Sequence, residues 1–454
     1  MVLGDVRRVP YGIADFRTLR EGNYLYVDRT GFLRLLEELP ERVVLFLRPR
    51  RFGKSLWCST LFYYYDKAHA HLWERLFKGT SIGENPTPLR SSYLVLNFSF
   101  SRVRSENRDV VYRDFLEVVS NSIAGFISRY GPLVRSAEVL NDPLAGPSTR
   151  LEALLAEVRR MDLGKVYVII DEYDQFTNEL FAFSPELFSE IVARQGFVRK
   201  FYEVIKEYVG QGVVDRVFIT GIAPLTLDAI TSGFNIAKNI TFHPKLHDML
   251  GFREEEVREI LRLLGIESLM RKLKLLYDGY TFDEELELGR LYNPNMILFF
   301  LSEYLQRERE PKNVIDYNLR SDLDKLKAIL LSSEVGKELL LELLSKGKVR
   351  GRLLPALSLK PISSFNRSEL LSLAFYVGLL TLVGKDQLSF QFRVPNWVMR
   401  SLYAEAFIEE LRVERVVDSE EFEDALLEML QGEFKGMAEV IGRTLRTASF
   451  RDMR

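Results

Sequence analysis

The chain has 454 residues, of which 47% are hydrophobic and 28% are charged, and its net charge at neutral pH is -2. This length exceeds what one hydrophobic core usually holds, so we expect two to four domains. The nearly neutral charge argues against a chain built as a whole to bind nucleic acid or an anionic membrane, although a local basic face stays open.

The single cysteine, Cys58, cannot form an internal disulfide bond, which indicates the cytoplasm. The sequence has no apolar leader pattern and no run of about 18 apolar residues, so we expect neither secretion nor a membrane span.

The first 42 residues contain a short strand-like segment over 24–30 and an amphipathic helix over 31–39, which Asp28 or Thr30 is placed to cap. Tyr26 is a candidate to stack on a nucleotide base. A strand held at the edge of a sheet explains the same segment equally well.

An apolar strand over residues 43–47 leads through a tight turn into a helix that opens on Gly53, Lys54 and Ser55. At such a junction, backbone N–H groups face an anion, the lysine reaches the outer phosphates and the hydroxyl ligates Mg2+. The full phosphate-loop motif has glycine where this chain has Arg48, so the motif is one glycine short. The segment alone is consistent with a nucleotide site or with a basic turn that caps a helix.

A second buried strand, over residues 166–170, ends on Asp171 and Glu172. In a nucleotide hydrolase the first carboxylate holds the metal and the second polarises the attacking water. The alternative is that both carboxylates merely cap the next helix. Because both motifs follow the carboxyl ends of strands, where open α/β sheets bind ligands, together they favour a phosphate-loop nucleotide fold.

Between and after these motifs we predict a strand over 93–98, helices over 109–129, 149–161 and 197–209, and a strand over 213–221. If the last strand lies between the other two, Thr220 at its end would face the terminal phosphate and sense it or position water. A threonine before a glycine is also ordinary turn chemistry, so both interpretations stand.

The C-terminal half is predicted to be mostly helical. Helices near 252–257, 269–277 and 293–305 would form a lid, and a helix followed by a hairpin over 364–394 suits a winged helix. Winged helices bind protein partners as readily as DNA. The basic stretch over 346–352 is either a phosphate contact or a solvated face.

Several of these segments together resemble the prokaryotic AAA-ATPase-like domain family, and the resemblance runs from about residue 10 to the end of the chain. The segments that carry it are residues 26–30 (YVDRT), 48–55 (RPRRFGKS), 170–174 (IDEYD), 220–227 (TGIAPLTL), 231–237 (TSGFNIA), 277–280 (YDGY) and 292–294 (YNP). An arginine-rich loop is typical of that family, so Arg48 is a family trait.

The resemblance implies an α/β fold: an AAA-like P-loop NTPase domain with a parallel sheet over 1–250, followed by a helical lid over 251–330 and a winged-helix-like domain over 331–412. Residues 413–454 read as a helical connector. Such proteins are commonly fused to a PD-(D/E)XK-type nuclease. After Asn396 only helical sequence follows, and Glu433 to Lys435 merely imitates the nuclease triplet, so we expect either a member without a nuclease or a chain cut before that domain.

We expect the nucleotide to be held by one continuous segment, which consists of Arg48, Pro49, Arg50, Arg51, Phe52, Gly53, Lys54, Ser55 and Leu56. Lys54, Glu172 and Thr220 are the predicted catalytic residues. Ser55 and Asp171 are the predicted Mg2+ ligands, directly or through water.

The predicted function is that of an ATP-binding protein, a slow Mg2+-dependent ATPase that acts as a conformational motor or switch for a protein partner or an effector nuclease. Turnover should be slow because a side chain at position 48 restricts φ. Two alternatives remain: a nucleotide-gated scaffold that does not hydrolyse ATP, and a regulator that binds DNA through the winged helix.

Overall fold

The computed structural model describes residues 2–174, 196–224, 236–316, 326–327, 329–331, 333–357 and 362–413, together with 424–425, 428, 436 and 439–440. The family-like segments over 225–227 and 231–235, most of the predicted connector and the triplet at 433–435 lie outside these residues.

The described strands form a central parallel sheet and two smaller antiparallel sheets. In chain order they are β1 (Val2–Leu3), β2 (Tyr26–Val27), β3 (Val43–Leu47), β4 (Leu94–Ser99), β5 (Val166–Asp171), β6 (Val214–Gly221), β7 (Lys238–Asn239), β8 (Val349–Gly351), β9 (Thr381–Lys385) and β10 (Phe390–Arg393).

The central sheet has the strand order β4-β5-β6-β3-β7, and all of its strand pairs are parallel. Every residue of β3 and of β5 is buried. A parallel strand that is covered on both faces needs apolar side chains on both, which explains the unbroken apolar runs of the two motif strands.

The α-helices of the described chain surround this sheet and continue beyond it. The N-terminal ones are α1 (Phe16–Glu21), α2 (Phe32–Glu38), α3 (Lys54–Tyr65), α4 (Trp73–Phe77), α5 (Ser81–Glu84), α6 (Arg108–Tyr130), α7 (Val134–Leu140), α8 (Pro147–Arg160) and α9 (Phe197–Gly210). The C-terminal ones are α10 (Glu254–Leu263), α11 (Met270–Tyr277), α12 (Pro294–Arg307), α13 (Glu334–Lys346), α14 (Arg367–Tyr376) and α15 (Trp397–Val413).

The C-terminal unit is built on the sheet β8-β10-β9, in which both strand pairs are antiparallel. Helix α14 precedes the hairpin of β9 and β10, and each of its residues from Glu369 to Tyr376 is buried. A helix that is buried all round serves as core rather than as a surface element.

The predicted cap of α2 is wrong. The helix begins after Gly31 without a side-chain cap. Asp28 instead accepts hydrogen bonds from the backbone and hydroxyl of Thr30 and from the backbone N–H of Ser81 at 2.7 Å. The carboxylate therefore ties the β2 segment to α5, a partner that a local sequence pattern does not reveal.

Within the described residues, no helix combines the length and the apolar character that a membrane span requires.

Candidate functional site

The two sequence motifs meet at one edge of the central sheet. Strand β6 lies between β3 and β5, with Leu47 paired to Gly221 and Ile170 paired to Ile219. Because the three strands are parallel, the turns that follow them open on the same side.

A cavity of about 490 Å3 lies at this edge. Its lining includes the loop and helix start over residues 50–56, and Glu172 from the turn after β5. Other walls come from the N-terminal segment, including residues 25–27 and Arg29, from residues 250–252, and from Pro294, Asn295 and Leu298. The volume is in the range of small-molecule sites.

The loop backbone adopts left-handed conformations at two positions, Arg51 with φ 66° and Gly53 with φ 94°. Among the described non-glycine residues with positive φ, Arg48 does not occur. The loop makes its left-handed turn at Arg51 instead. A positive φ at a non-glycine residue costs of order 1 to 3 kcal/mol and is often found at functional sites.

Lys54 is the first residue of α3 and lines the cavity. Its ammonium group donates to the carbonyl oxygens of Arg48 at 3.0 Å and Pro49 at 2.9 Å. Burial lowers the pKa of Lys54, while Asp171 and Glu172 act in the opposite direction. The ammonium group thus binds the backbone at the start of the phosphate loop and is near the carboxylates of Asp171 and Glu172.

The Ser55 side chain lies next to the Asp171 carboxylate. Burial raises the pKa of Asp171, and Ser55 and Lys54 counteract this effect. Its Oδ1 atom is buried without a hydrogen-bond partner. A hydroxyl beside a carboxylate oxygen that lacks a partner is the hard oxygen donor set that Mg2+ prefers, so these residues fit the ion.

Glu172 lines the cavity and has a left-handed backbone, with φ 53°. Burial, and next the charge of Asp171, raise the pKa of the Glu172 carboxyl. Of the two carboxylates, Glu172 lines the cavity and Asp171 does not.

Arg48 and Pro49 do not line the cavity. The Arg48 side chain is 1% exposed, and its guanidinium donates to the carbonyls of Thr241 at 3.0 Å and His247 at 3.0 Å, among others. It also lies over the rings of Phe46 and Phe282. The Arg48 side chain is therefore part of the interior, and the prediction that it contacts phosphate is not supported by this placement.

Thr220 is near the end of β6, which lies between the two motif strands. Its side chain is 1% exposed, and its hydroxyl donates to the carbonyl of Phe46 at 2.8 Å. Because the hydroxyl is satisfied within the sheet and does not line the cavity, its position does not favour contact with a terminal phosphate.

Arg29 lines the cavity and was missed by the sequence reasoning. It forms hydrogen bonds to both carboxylate oxygens of Glu256, at 2.5 and 2.6 Å, and to the carbonyl of Gly251 at 2.5 Å. Tyr26 also lines the cavity, but it is 4% exposed and its ring packs edge-on against Phe16. The YVDRT segment was a signal for Arg29, although its partner is 227 positions away.

The sequence comparison agrees with this geometry. A family model described as predicted AAA-ATPase matches residues 10–231, which include the phosphate loop, Asp171, Glu172 and Thr220. The AAA-ATPase-like region thus covers the whole central sheet except its edge strand β7.

Two further similarities extend past this region. An uncharacterised protein in the vnfD 5' region of Azotobacter chroococcum is 28% identical over 302 residues, which is 65% of this chain and 52% of that protein. The chain thus spans about half the length of this relative. A Walker-type ATPase of Pyrococcus abyssi is 14% identical with a TM-score of 0.41, over 84% of this chain and 96% of that one.

Proposed function

We propose that this protein binds ATP with Mg2+ in the 490 Å3 cavity and hydrolyses it slowly, and that the nucleotide state positions its C-terminal unit for a partner. One observation carries the proposal: Lys54, Ser55 and Glu172 line one cavity, and the Asp171 carboxylate lies next to Ser55. The match to the predicted AAA-ATPase family supports the same chemistry at a coarse level.

In this proposal the backbone of residues 50–55 and the ammonium of Lys54 bind the β and γ phosphates. Glu172 accepts a proton from the water that attacks the γ phosphorus, and the bond to the bridging oxygen of ADP breaks. Arg50 and Arg51 line the cavity and add positive charge near the phosphates. Thr220 has no part in this scheme unless its bond to Phe46 opens.

Ser55 and Asp171 would hold Mg2+, which when bound supplies positive charge that stabilises the phosphoryl group being transferred. Slow turnover is supported by Lys54, whose ammonium must leave the carbonyls of Arg48 and Pro49 before it binds a terminal phosphate.

We further propose that residues 251–330 act as the lid and residues 331–412 as a winged-helix-like unit, with 413–454 as a connector. Residues of the proposed lid, including Gly251 and Phe252, line the cavity. The C-terminal unit contacts the phosphate loop, because a Cβ on Gly378 would lie 2.8 Å from the Cβ of Pro49. A change in the loop on nucleotide binding would therefore displace residues of both the proposed lid and the C-terminal unit.

A DNA-reading role for the winged-helix-like unit is disfavoured. In helix-turn-helix proteins a recognition helix presents side chains to the major groove. Here the helix before the hairpin, α14, is buried from Glu369 to Tyr376. A protein partner or effector nuclease suits such a unit better.

The test is ATP binding and turnover in the wild type, Lys54→Ala and Glu172→Gln, with the exposed Glu74→Gln as a control of equal charge change. We expect Glu172→Gln to bind ATP normally but to lose roughly 100-fold or more in kcat, as removal of a general base does. Lys54→Ala should lose binding, and Glu74→Gln should match the wild type.

Each other outcome is informative. Tight binding without turnover in the wild type would favour the scaffold that does not hydrolyse ATP. Turnover that survives Glu172→Gln would refute the assigned base. If calorimetry finds no binding of ATP to the wild type, both versions fail.

The pH profile gives a second readout on the base. Burial and Asp171 raise the pKa of Glu172 above the ordinary value of 4.5. Because the base acts deprotonated, kcat/KM should fall as the pH drops through this raised pKa, so the acid limb should lie above 4.5. Saturating Mg2+ controls for the protonation of Asp171, and a profile that stays flat down to the ordinary value would contradict the assignment.

A further inference from the structure

Three arginines gather where the proposed lid meets the C-terminal hairpin: Arg290, Arg393 and Arg400. The guanidinium of Arg290 donates to the carbonyl of Gly279 at 3.2 Å. Gly279 lies directly on Pro395, since a Cβ built on it would be 2.2 Å from the Pro395 carbonyl oxygen. Arg393 ends β10 two residues before Pro395, and Arg400 is in the first turn of α15 just after it.

None of these three guanidinium groups has a carboxylate within ion-pair distance in the part of the chain that the structure describes. Other arginines of the same region are paired, such as Arg258 with Glu254 and Arg367 with Glu342. Buried or crowded charges are normally paired, so three neighbouring guanidinium groups without an ion-paired carboxylate need an explanation.

The positive charges of Arg290 and Arg400 repel that of Arg393. Burial first, and then the charges of Arg290 and Arg400, lower the pKa of Arg393. The carboxylate of Asp278 opposes this effect but is not ion-paired to any of the three. The first turn of α15 contains no acidic residue, so the positive end of the helix is not compensated either.

The group is accessible and separate from the nucleotide cavity. Arg400 is exposed, Arg290 and Arg393 are half-buried, and none of the three lines the cavity. A ligand that reached them would therefore bind beside the lid and not within the proposed ATP site.

We propose that Arg290, Arg393 and Arg400 form a phosphate-binding site, which takes the phosphate groups of a nucleic-acid backbone or of a free oligophosphate such as pyrophosphate. Guanidinium groups bind phosphate oxygens in pairs of parallel hydrogen bonds, and a doubly charged group relieves the repulsion among three cations. The proposal does not depend on ATP hydrolysis, and it needs no groove-reading helix, because phosphate contacts carry no sequence information.

The test uses the full chain carrying Lys54→Ala, so that phosphate binding in the nucleotide cavity is removed. Binding of a labelled 20-base-pair duplex would be followed by anisotropy at several salt concentrations, and binding of pyrophosphate by calorimetry. The cluster variant is Arg290→Gln with Arg393→Gln and Arg400→Gln. The matched control removes three exposed arginines elsewhere, by Arg102→Gln, Arg135→Gln and Arg309→Gln.

We expect the cluster variant to bind at least one of the two anions about 10-fold or more weakly, while the control changes binding less than about 2-fold. For the duplex, the slope of log K against log salt should decrease by about 0.9 for each phosphate that the cluster variant no longer neutralises. Loss of duplex binding alone assigns the site to nucleic acid, and loss of pyrophosphate binding alone assigns it to free phosphates.

The proposal is overturned if neither anion binds the Lys54→Ala chain. It is also overturned if the cluster variant and the control lose the same amount of affinity for the anions. Arg400 is exposed, so Arg400→Gln alone keeps the test valid should the triple variant fail to fold. That single change should weaken binding several-fold. Unchanged binding in it would count against the site.

Discussion

The Arg48 guanidinium holds together segments that are far apart in the sequence. It donates to the carbonyls of Leu47, Thr241, Leu246 and His247 at 2.9 to 3.2 Å. Burial lowers the pKa of Arg48 well below its ordinary value, while the charge of Asp248 acts in the opposite direction. Hydrogen bonds from a charged donor are worth about 1.5 to 3 kcal/mol each before the cost of burial, so the side chain is a strong constraint on the loop.

Arg48→Gly restores the usual glycine of the motif, yet we expect it to weaken ATP binding by about 10-fold or more and to lower stability by about 3 kcal/mol. The reason is that four carbonyl acceptors and the space beside Phe282 would be left unfilled. Calorimetry with ATP and thermal unfolding measure the two effects.

Arg51→Gly is the control for the stability measurement only, because Arg51 itself lines the cavity. It makes the same substitution in the same loop at φ 66°, where glycine is favoured. It should change stability by less than about 1 kcal/mol. If Arg48→Gly binds ATP as tightly as the wild type, Arg48 does not position the loop.

At the scale of secondary-structure elements, the N-terminal segment and helix α10 are joined across the cavity wall by Arg29 and Glu256. Their side chains are 9% and 5% exposed, and Arg253 also reaches the same carboxylate. Burial acts to raise the pKa of Glu256, but the hydrogen bonds and charge of Arg29 outweigh it and lower that pKa.

Arg29→Met should cost about 3 kcal/mol at neutral pH, because it leaves a buried carboxylate poorly paired. A lowered pKa in the folded state means that the pair stabilises the protein above the ordinary value of 4.5 and that this contribution is lost as the pH falls through the folded-state pKa. The difference in thermal stability between wild type and variant should therefore narrow in acid.

The control is Arg17→Met, which breaks an exposed pair with Glu21 and should cost less than about 1 kcal/mol at any pH. A loss for Arg29→Met that is equally small, or that does not change with pH, would show that the Arg29 pair is not important for joining the two elements.

The motif strands and the partners of Arg48 and Arg29 show what a sequence can and cannot predict. The strand that leads to Lys54 and the strand that ends on Asp171 were predicted because an apolar run and the following motif are adjacent in the chain. The partners of Arg48 lie as far as 199 positions away, and Glu256 lies 227 positions from Arg29. Such contacts depend on tertiary packing, so no local pattern shows that Arg48 points inward or that Thr220 is bonded to Phe46.

At the scale of the whole molecule, the phosphate loop packs against the C-terminal half of the chain. Phe52 packs edge-on against Tyr280 and Phe282, with ring centres 5.2 and 5.4 Å apart. Pro49 lies against Gly378, which joins α14 to the hairpin. The loop is thus enclosed between the proposed nucleotide and the proposed partner-binding unit.

Gly378→Ala tests this contact. Gly378 has φ +86° and a Cβ there would meet Pro49, so the change should weaken ATP binding several-fold by displacing the loop. Gly347→Ala is the control, because φ is +71° but nothing lies within 4 Å of a Cβ. Both variants should lose about 1 kcal/mol from backbone strain.

Only Gly378→Ala is expected to change the Kd for ATP, measured by calorimetry. Equal affinity in the two variants would mean that the C-terminal unit does not restrain the loop.

Helix α3, which begins at Lys54, also contains the only thiol in the sequence, Cys58. Burial, reinforced by Asp171, raises the pKa of this thiol well above its ordinary value, so it is unreactive while the helix is packed. The rate at which Cys58 is alkylated then measures how often α3 detaches from the sheet. A ligand that binds the first turn of α3 should lower that rate. Cys58 is therefore a built-in probe of the opening of α3, and no label has to be engineered into the protein.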